Sequence, residues 1–115
     1  MSVFAGPLPL VDAVQAVRQH PTGVLFAKPP LSWGAEALVA QLNDDYSVPS
    51  ELAAQGFVCL LDHEDVSMVL GSSTASTLPP RVQAELVVHY AVYDAFPEWL
   101  ELLALRWPNN SLQRP

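Results

Sequence analysis

The chain has little cysteine, little glycine and few basic residues, and each shortage excludes a class of function. One of its 115 residues is cysteine, Cys59, so no internal disulfide can form. The 5 glycines are scattered and provide no glycine-rich loop that could hold a phosphate. Only 5 residues are Lys or Arg against 12 Asp or Glu, which gives a formal charge of −7. Since nucleic-acid binding depends on basic side chains that contact phosphates, we expect no direct binding of DNA or RNA.

Long apolar runs and catalytic motifs are also missing. No uninterrupted apolar segment approaches the ~18 residues of a membrane-spanning helix, and MSVFAGPLPL lacks the positive start of a signal peptide. We therefore expect a cytoplasmic protein that does not associate with membranes. No nucleophile elbow, dinucleotide fingerprint, zinc-ligand spacing or metalloprotease helix occurs in the sequence. These absences favour a protein that is not an enzyme and that uses no cofactor and no metal.

What the chain does contain is enough apolar residues for a compact core. Half of the residues are hydrophobic and 15% are charged, so residues 1–115 are predicted to form a single domain. Residues 1–8, which include a glycine and a proline, are expected to be a flexible arm, as are residues 109–115 at the other end. Residues 72–77 are all small, and they predict a mobile linker over residues 72–78.

Proline and glycine boundaries together with helical spacing of apolar residues predict five helices. The first has Leu10, Val11, Val14 and Val17 at intervals of three and four residues, and the longest begins at two consecutive prolines. The predicted helices cover residues 10–17, 49–55, 62–71, 79–96 and 98–107.

Short apolar runs predict the strands. Residues 24–27 and 57–61 are continuous apolar segments of the kind that forms buried strands, and Cys59 is expected in the core of the second. Residues 35–42 suit either a helix or a strand, and we favour a strand. The predicted fold is α+β, with a small, mostly antiparallel sheet of about three strands that packs on one side against several helices. Antiparallel pairing is favoured because the first connection is too short for a helical crossover.

An acidic segment, Asp62-His63-Glu64-Asp65, follows the most confident strand. Carboxylates and an imidazole can bind a metal or share acid and base roles, but adjacent residues on a helix point in different directions. Asp62 is a good helix N-cap, and Asp65 stands where a capping box has its carboxylate. Capping therefore accounts for Asp62 and Asp65, and it leaves His63 and Glu64 as the residues to examine for partner contacts.

The excess of acidic residues favours a basic protein as the partner. Complementary charge accelerates association, although an acidic surface can also serve solubility alone. The candidate partner-binding residues are Asp44, Asp45, Glu51, Asp62, His63, Glu64 and Asp65.

The last predicted helix suggests an alternative function. Its apolar residues, among them Trp99, Leu103 and Trp107, cover more than one face, so it must be buried or must meet a partner. The chain could thus be a structural or adaptor module that forms a homodimer or docks through this helix. A third hypothesis is a small enzyme or metal-dependent regulator that uses His63 or His89 with nearby carboxylates.

Four stretches of the chain resemble a known family. They are LVDAVQAV, PTGVLF followed by Trp33, AAQGFVCLLDHEDVSMVL, and ELVVHYAVYDAF, within residues 10–96. The chain resembles small acidic bacterial domains of unknown function that are regarded as immunity proteins of polymorphic toxin systems. The resemblance implies a non-catalytic protein that neutralises a basic toxin, such as a nuclease, by stoichiometric binding. It implies no catalytic residues, and residues 97–115 extend beyond it.

Overall fold

The computed structural model describes residues 2–106, and within them the chain forms an α+β fold. The predicted fold class is therefore confirmed. The strands are β1 (Val3–Pro9), β2 (Val24–Ala27), β3 (Glu36–Ala40) and β4 (Val58–Asp62). The helices are α1 (Leu10–Val17), α2 (Ser50–Ala54), α3 (His63–Val69), α4 (Ser73–Ser76), α5 (Pro80–Tyr93) and α6 (Glu98–Arg106). No helix in this part of the chain combines the length and the apolar character needed to cross a bilayer.

The strands form one antiparallel sheet in the order β1-β3-β2-β4. The predicted antiparallel pairing is confirmed, and the ambiguous segment 35–42 contains a strand, β3, as we favoured. β3 and β2 lie at the centre, with Leu25 opposite Val39 and Phe26 opposite Leu38. The edges are β1 and β4, so each of them has a strand neighbour on one side only.

The fourth strand, β1, replaces the flexible arm that was predicted for residues 1–8. The prediction was wrong because a glycine and two prolines interrupt the apolar alternation of this segment. An edge strand tolerates proline, since one side of its backbone makes no ladder bonds. Gly6 has a φ of +103°, and a Cβ there would lie 2.8 Å from the Leu38 Cβ. Only glycine fits where β1 crosses β3 so closely.

Helices cover both faces of the sheet, and not one face as predicted. Leu25 and Val39 point to a large core that includes residues of α1, α3 and α5. Phe26 and Leu38 point to the opposite face, where they pack with Leu52 of α2 and with Phe57. The side chains of residues 24–27 and 37–40 alternate between two apolar clusters, which explains why these two segments are continuously apolar.

The segment predicted as a mobile linker, residues 72–78, contains the short helix α4. The hydroxyl of Ser72 accepts a hydrogen bond from the Ala75 N–H at 3.0 Å, which caps the first turn. Ala75 is buried, and its carbonyl accepts a hydrogen bond from Gln83 Nε2 at 3.1 Å. The segment that suggested a linker is thus a short helix that packs against α6 and is joined to α5 by the bond from Gln83.

Cys59 is exposed, which corrects its predicted place in the core. It lies on the edge strand β4, opposite Phe26 and on the sheet face that only the short α2 covers. Partial burial raises the pKa of the Cys59 thiol, and the negative charge of Asp62 raises it further. The apolar run of residues 57–61 marks a strand correctly, but a run of apolar letters does not distinguish a central strand from an edge strand.

Candidate functional site: an acidic cleft at one end of the sheet

A cleft of about 660 Å³ opens at the end of the sheet where β3 and β4 finish and β2 begins. Antiparallel neighbours bring these three strand ends together although they are distant in the sequence. We call this feature the acidic cleft. It is lined by residues 21–24, 41–44, 46, 62 and 64.

Three of the predicted partner-binding residues line the acidic cleft, namely Asp44, Asp62 and Glu64. Asp44 belongs to the loop after β3, whereas Asp62 and Glu64 lie where β4 passes into α3. None of the described lining residues is Lys or Arg. A concave surface lined by charges of one sign concentrates the electrostatic field, so the cleft attracts cationic groups.

The junction of β4 and α3 positions Asp62. Asp62 ends the strand and its Oδ1 accepts a hydrogen bond from the Asp65 N–H at 2.8 Å. The predicted N-cap is confirmed. The pKa of Asp65 is raised, first by partial burial and then by the negative charges of Asp62 and Glu64. Capping uses one oxygen of Asp62, and Glu64 has no part in this bond.

His63 connects the junction to α1 and does not line the cleft. Its Nδ1 lies 3.0 Å from the carbonyl oxygen of Val17, to which it donates a hydrogen bond. Its backbone N–H donates to the Gly23 carbonyl at 3.0 Å. His63 thus donates a hydrogen bond to a carbonyl at the C-terminal end of α1. This bond links α1 to the junction of β4 and α3, which carries Asp62 and Glu64.

The loop after β3 forms a tight turn over residues 43–47. The Asn43 N–H donates to the Ser47 carbonyl at 3.0 Å, and the Tyr46 N–H donates to the Asn43 carbonyl at 2.8 Å. Asp45 Oδ1 accepts hydrogen bonds from the Ser47 hydroxyl and the Ser47 N–H. These bonds, that of the hydroxyl first, hold the pKa of the Asp45 carboxyl below its ordinary value. Asp45 therefore stabilises the turn and lies outside the set that lines the cleft.

Tyr46 is a residue of the site that the sequence did not suggest. It lines the acidic cleft with a side chain that is 84% exposed, and its φ is +65°. A non-glycine residue in the left-handed region is uncommon and is held here by the turn. Its signal in the sequence was an aromatic residue inside an otherwise polar turn, a place where no core packing calls for one.

The other predicted contact residues lie apart from the cleft. Glu51 is in the first turn of α2, which packs on the second face of the sheet. Trp99 is half-buried against the main core and Leu103 is also half-buried, so α6 already packs against its own chain. Leu102 of that helix faces outward and is 58% exposed. Trp107 lies outside the described residues, as does the predicted flexible segment 109–115.

The described part of the chain contains no group of three or more His, Cys, Asp or Glu side chains that could hold a metal ion. His89, the other histidine considered for chemistry, has its Nδ1 3.0 Å from the Ala95 carbonyl oxygen and packs on the Tyr93 ring. These contacts link the last turn of α5 to the residues that follow the helix. No protein-family model, curated protein or solved structure matches this chain.

Proposed function

We propose that this chain is a non-catalytic, cytoplasmic binding protein that neutralises a basic protein toxin stoichiometrically by receiving its cationic side chains in the acidic cleft. The observation that carries the proposal is the convergence of Asp44, Asp62 and Glu64 on one concave surface. A nuclease is one such toxin, since an enzyme that binds phosphates needs a basic surface.

The dimensions of the cleft suit this task. Its volume of about 660 Å³ is large enough for more than one side chain of a partner. An arginine can form two parallel hydrogen bonds with a carboxylate, and such charge-assisted bonds are stronger than neutral ones. The exposed ring of Tyr46 beside the carboxylates offers a cation a second attractive surface. Tyrosine is also among the residues that contribute most to binding at protein interfaces.

The rest of the molecule supports the same function. The net charge of −7 draws a basic protein towards the chain from a distance, which raises the association rate. The resemblance to immunity domains suggests the same class of partner. An inhibitor that blocks a toxin by covering its surface needs complementary shape and charge and requires no catalytic group.

The decisive experiment removes the charges of the cleft without changing its shape. The cleft variant carries Asp44→Asn, Asp62→Asn and Glu64→Gln. Asparagine is as good an N-cap as aspartate, so α3 keeps the cap that alanine would remove at a cost of about 1 kcal/mol. The control variant carries Asp12→Asn, Glu85→Gln and Glu98→Gln, three exposed positions outside the cleft. Each variant lacks three of the negative charges of the natural chain, so the two variants have the same net charge.

We expect the cleft variant to bind its cognate basic toxin at least about tenfold more slowly at low salt, and the control variant to be much less affected. Surface plasmon resonance measures both association rates, and the difference between the variants should shrink as salt rises. Equal losses in the two variants would mean that only the net charge matters and that the acidic cleft is not the binding site.

A further inference from the structure

Exposed apolar side chains are concentrated at the C-terminal end of α5. Val92 is 56% exposed, Tyr93 68% and Phe96 46%, and we call these three residues the α5-end patch. In the described part of the chain, the other large apolar side chains of similar exposure are single positions in the sequence. Single exposed apolar residues are ordinary on protein surfaces, whereas a group of them indicates an interaction site.

Contacts within the chain order the α5-end patch. The Tyr93 ring packs on His89 with 4.6 Å between ring centroids, and the Phe96 ring packs on Tyr90 at 5.1 Å. The Asp94 N–H donates to the Tyr90 carbonyl at 2.8 Å, and Asp94 ends the helix with a φ of +53°. Because these rings are already held in place, a partner that covers them loses little free energy to the ordering of side chains.

The surroundings of the α5-end patch are acidic. Residues 82–105 contain four Asp or Glu and no Lys or Arg. Two of the four, Asp94 and Glu98, are exposed and adjoin the patch in the sequence. Helix α3 packs against α5, and the pKa of its Asp65 is raised, first by partial burial and then by neighbouring carboxylates that include Asp94. The negative charge beside the patch therefore extends across to α3.

This combination of apolar and acidic groups determines what the surface suits. Lys and Arg side chains are what attract a protein to phosphates and to anionic lipids, so the surroundings of the patch do not suit a nucleic acid or an anionic membrane. The complementary surface has apolar side chains flanked by cations. An amphipathic basic helix presents both, since its apolar stripe lies between two rows of polar residues.

We propose that the α5-end patch binds a basic amphipathic helix of a protein partner. The apolar face of that helix covers Val92, Tyr93 and Phe96, and its Lys or Arg side chains meet Asp94 and Glu98. Docking of an amphipathic helix on an apolar surface is a common mode of peptide recognition. None of these five residues lines the acidic cleft, so the proposal does not depend on the neutralisation of a toxin.

Two synthetic peptides of identical Leu and Lys composition test the proposal. Each has about 18 residues, which is five helical turns. The first peptide has all its leucines on one face of the helix, and the second has them distributed around the helix. Since the two peptides carry the same charge, attraction to the acidic cleft affects both. Fluorescence anisotropy measures the two dissociation constants, and we expect the natural chain to bind the first peptide at least about tenfold more tightly.

A patch variant locates this preference. It carries Val92→Gln and Tyr93→Gln, and glutamine is a good helix former, so α5 is retained. The control variant carries Val3→Gln and Val58→Gln, two exposed valines on the edge strands. We expect the patch variant to bind the two peptides about equally and the control variant to keep the preference. Equal binding of both peptides by the natural chain would overturn the proposal, and so would a preference that persists in the patch variant.

A second pair of variants tests the cationic character of the partner. Asp94→Asn with Glu98→Gln removes the charges beside the patch, and asparagine tolerates the left-handed conformation at position 94. Asp12→Asn with Glu85→Gln removes the same charge elsewhere. We expect the first pair to weaken binding of the first peptide at least about threefold more than the second pair does. Equal weakening would contradict a basic helix as the occupant.

Sedimentation equilibrium excludes the other occupant of such a surface, a second copy of this chain. The natural chain and the patch variant should show the same oligomeric state, because the proposed contact is with a different protein. A dimer that the natural chain forms and the patch variant loses would assign the α5-end patch to self-association and overturn the proposal.

Discussion

At the scale of single residues, the carboxylates around the acidic cleft differ in what they already bind. One oxygen of Asp62 caps α3, and Asp45 is bonded to Ser47. In the described part of the chain, the carboxylates of Asp44 and Glu64 make no hydrogen bond to protein. Asp44 and Glu64 are therefore the acidic groups that can accept hydrogen bonds from a partner without first releasing a bond of the fold.

Asp45 provides a test of how the turn beside the cleft is held. Its pKa is lowered chiefly by the Ser47 hydroxyl, so its contribution to stability is present at neutral pH and is lost as the pH falls through its folded-state pKa. We expect Ser47→Ala to raise the pKa of Asp45 towards its ordinary value. An NMR titration of the Asp45 carboxyl measures this shift. Ser50→Ala, in the neighbouring helix, is the control. If Ser47→Ala left the pKa of Asp45 unchanged, the Ser47 hydroxyl would not be what lowers it.

Which of these residues could be predicted depends on the range of the interactions that place them. The cap at Asp62 was predictable because an N-cap and its bonded N–H lie three residues apart. The meeting of Asp44 with Asp62 was not, because it follows from the strand order and not from any local pattern. Tyr46 was missed for a similar reason: an aromatic residue in a polar turn signals exposure, but only the strand order places that turn beside Asp62 and Glu64.

At the scale of elements, the same contrast separates β1 from the other strands. β2 and residues 37–40 of β3 are continuously apolar because both of their faces are buried; β2 was predicted as a strand, whereas the segment of β3 suited either a helix or a strand. The apolar residues of β1 are interrupted by Gly6, Pro7 and Pro9, so the segment has a composition typical of a loop. Only its pairing with β3 makes it a strand. Local composition therefore predicted β2 and the edge strand β4, left β3 open between helix and strand, and missed the edge strand β1.

Three helices are joined by one buried amide. Gln83 of α5 is 5% exposed; its Nε2 donates to the Ala75 carbonyl of α4, and its Oε1 accepts from Gln15 Nε2 of α1 at 2.7 Å. An apolar side chain of similar shape would remove both of these bonds, although the Ala75 carbonyl would keep the one that it accepts from the Leu78 N–H. A hydrogen bond contributes about 0.5–1.5 kcal/mol to stability, so the two together contribute about 1–3 kcal/mol. We expect Gln83→Met to lower the free energy of unfolding by this amount, measured by urea denaturation.

The matched control for Gln83→Met is Gln19→Met. Gln19 is an exposed glutamine just after α1, so the same substitution there should change the free energy of unfolding by no more than about 0.5 kcal/mol. Equal effects at the two positions would show that methionine itself, and not the buried amide, is responsible. The comparison isolates the contribution of the link between the helices.

At the scale of the whole molecule, unbalanced negative charge opposes the compact state. The chain has 12 acidic and 5 basic residues, and within the described residues a single ion pair, Lys28 with Glu36 at 3.6 Å, joins opposite charges. Both side chains are partly exposed, so the pair contributes little to stability. Repulsion among the remaining carboxylates is therefore largely uncompensated.

Screening this repulsion should stabilise the fold while it weakens partner binding. Salt shortens the range of interactions between exposed charges, so we expect sodium chloride at physiological ionic strength to raise the melting temperature by about 2–4 °C above its value at low salt. The variant with Asp12→Asn, Glu85→Gln and Glu98→Gln should melt higher at low salt and respond less to salt, because it carries less charge to screen. Calorimetry of both chains measures these shifts. A melting temperature that falls with salt would mean that attractive pairs outweigh the repulsion. If salt raises the melting temperature and also slows association, the acidic surface has two opposite effects. Its negative charges destabilise the fold, and they accelerate the approach of a cationic partner.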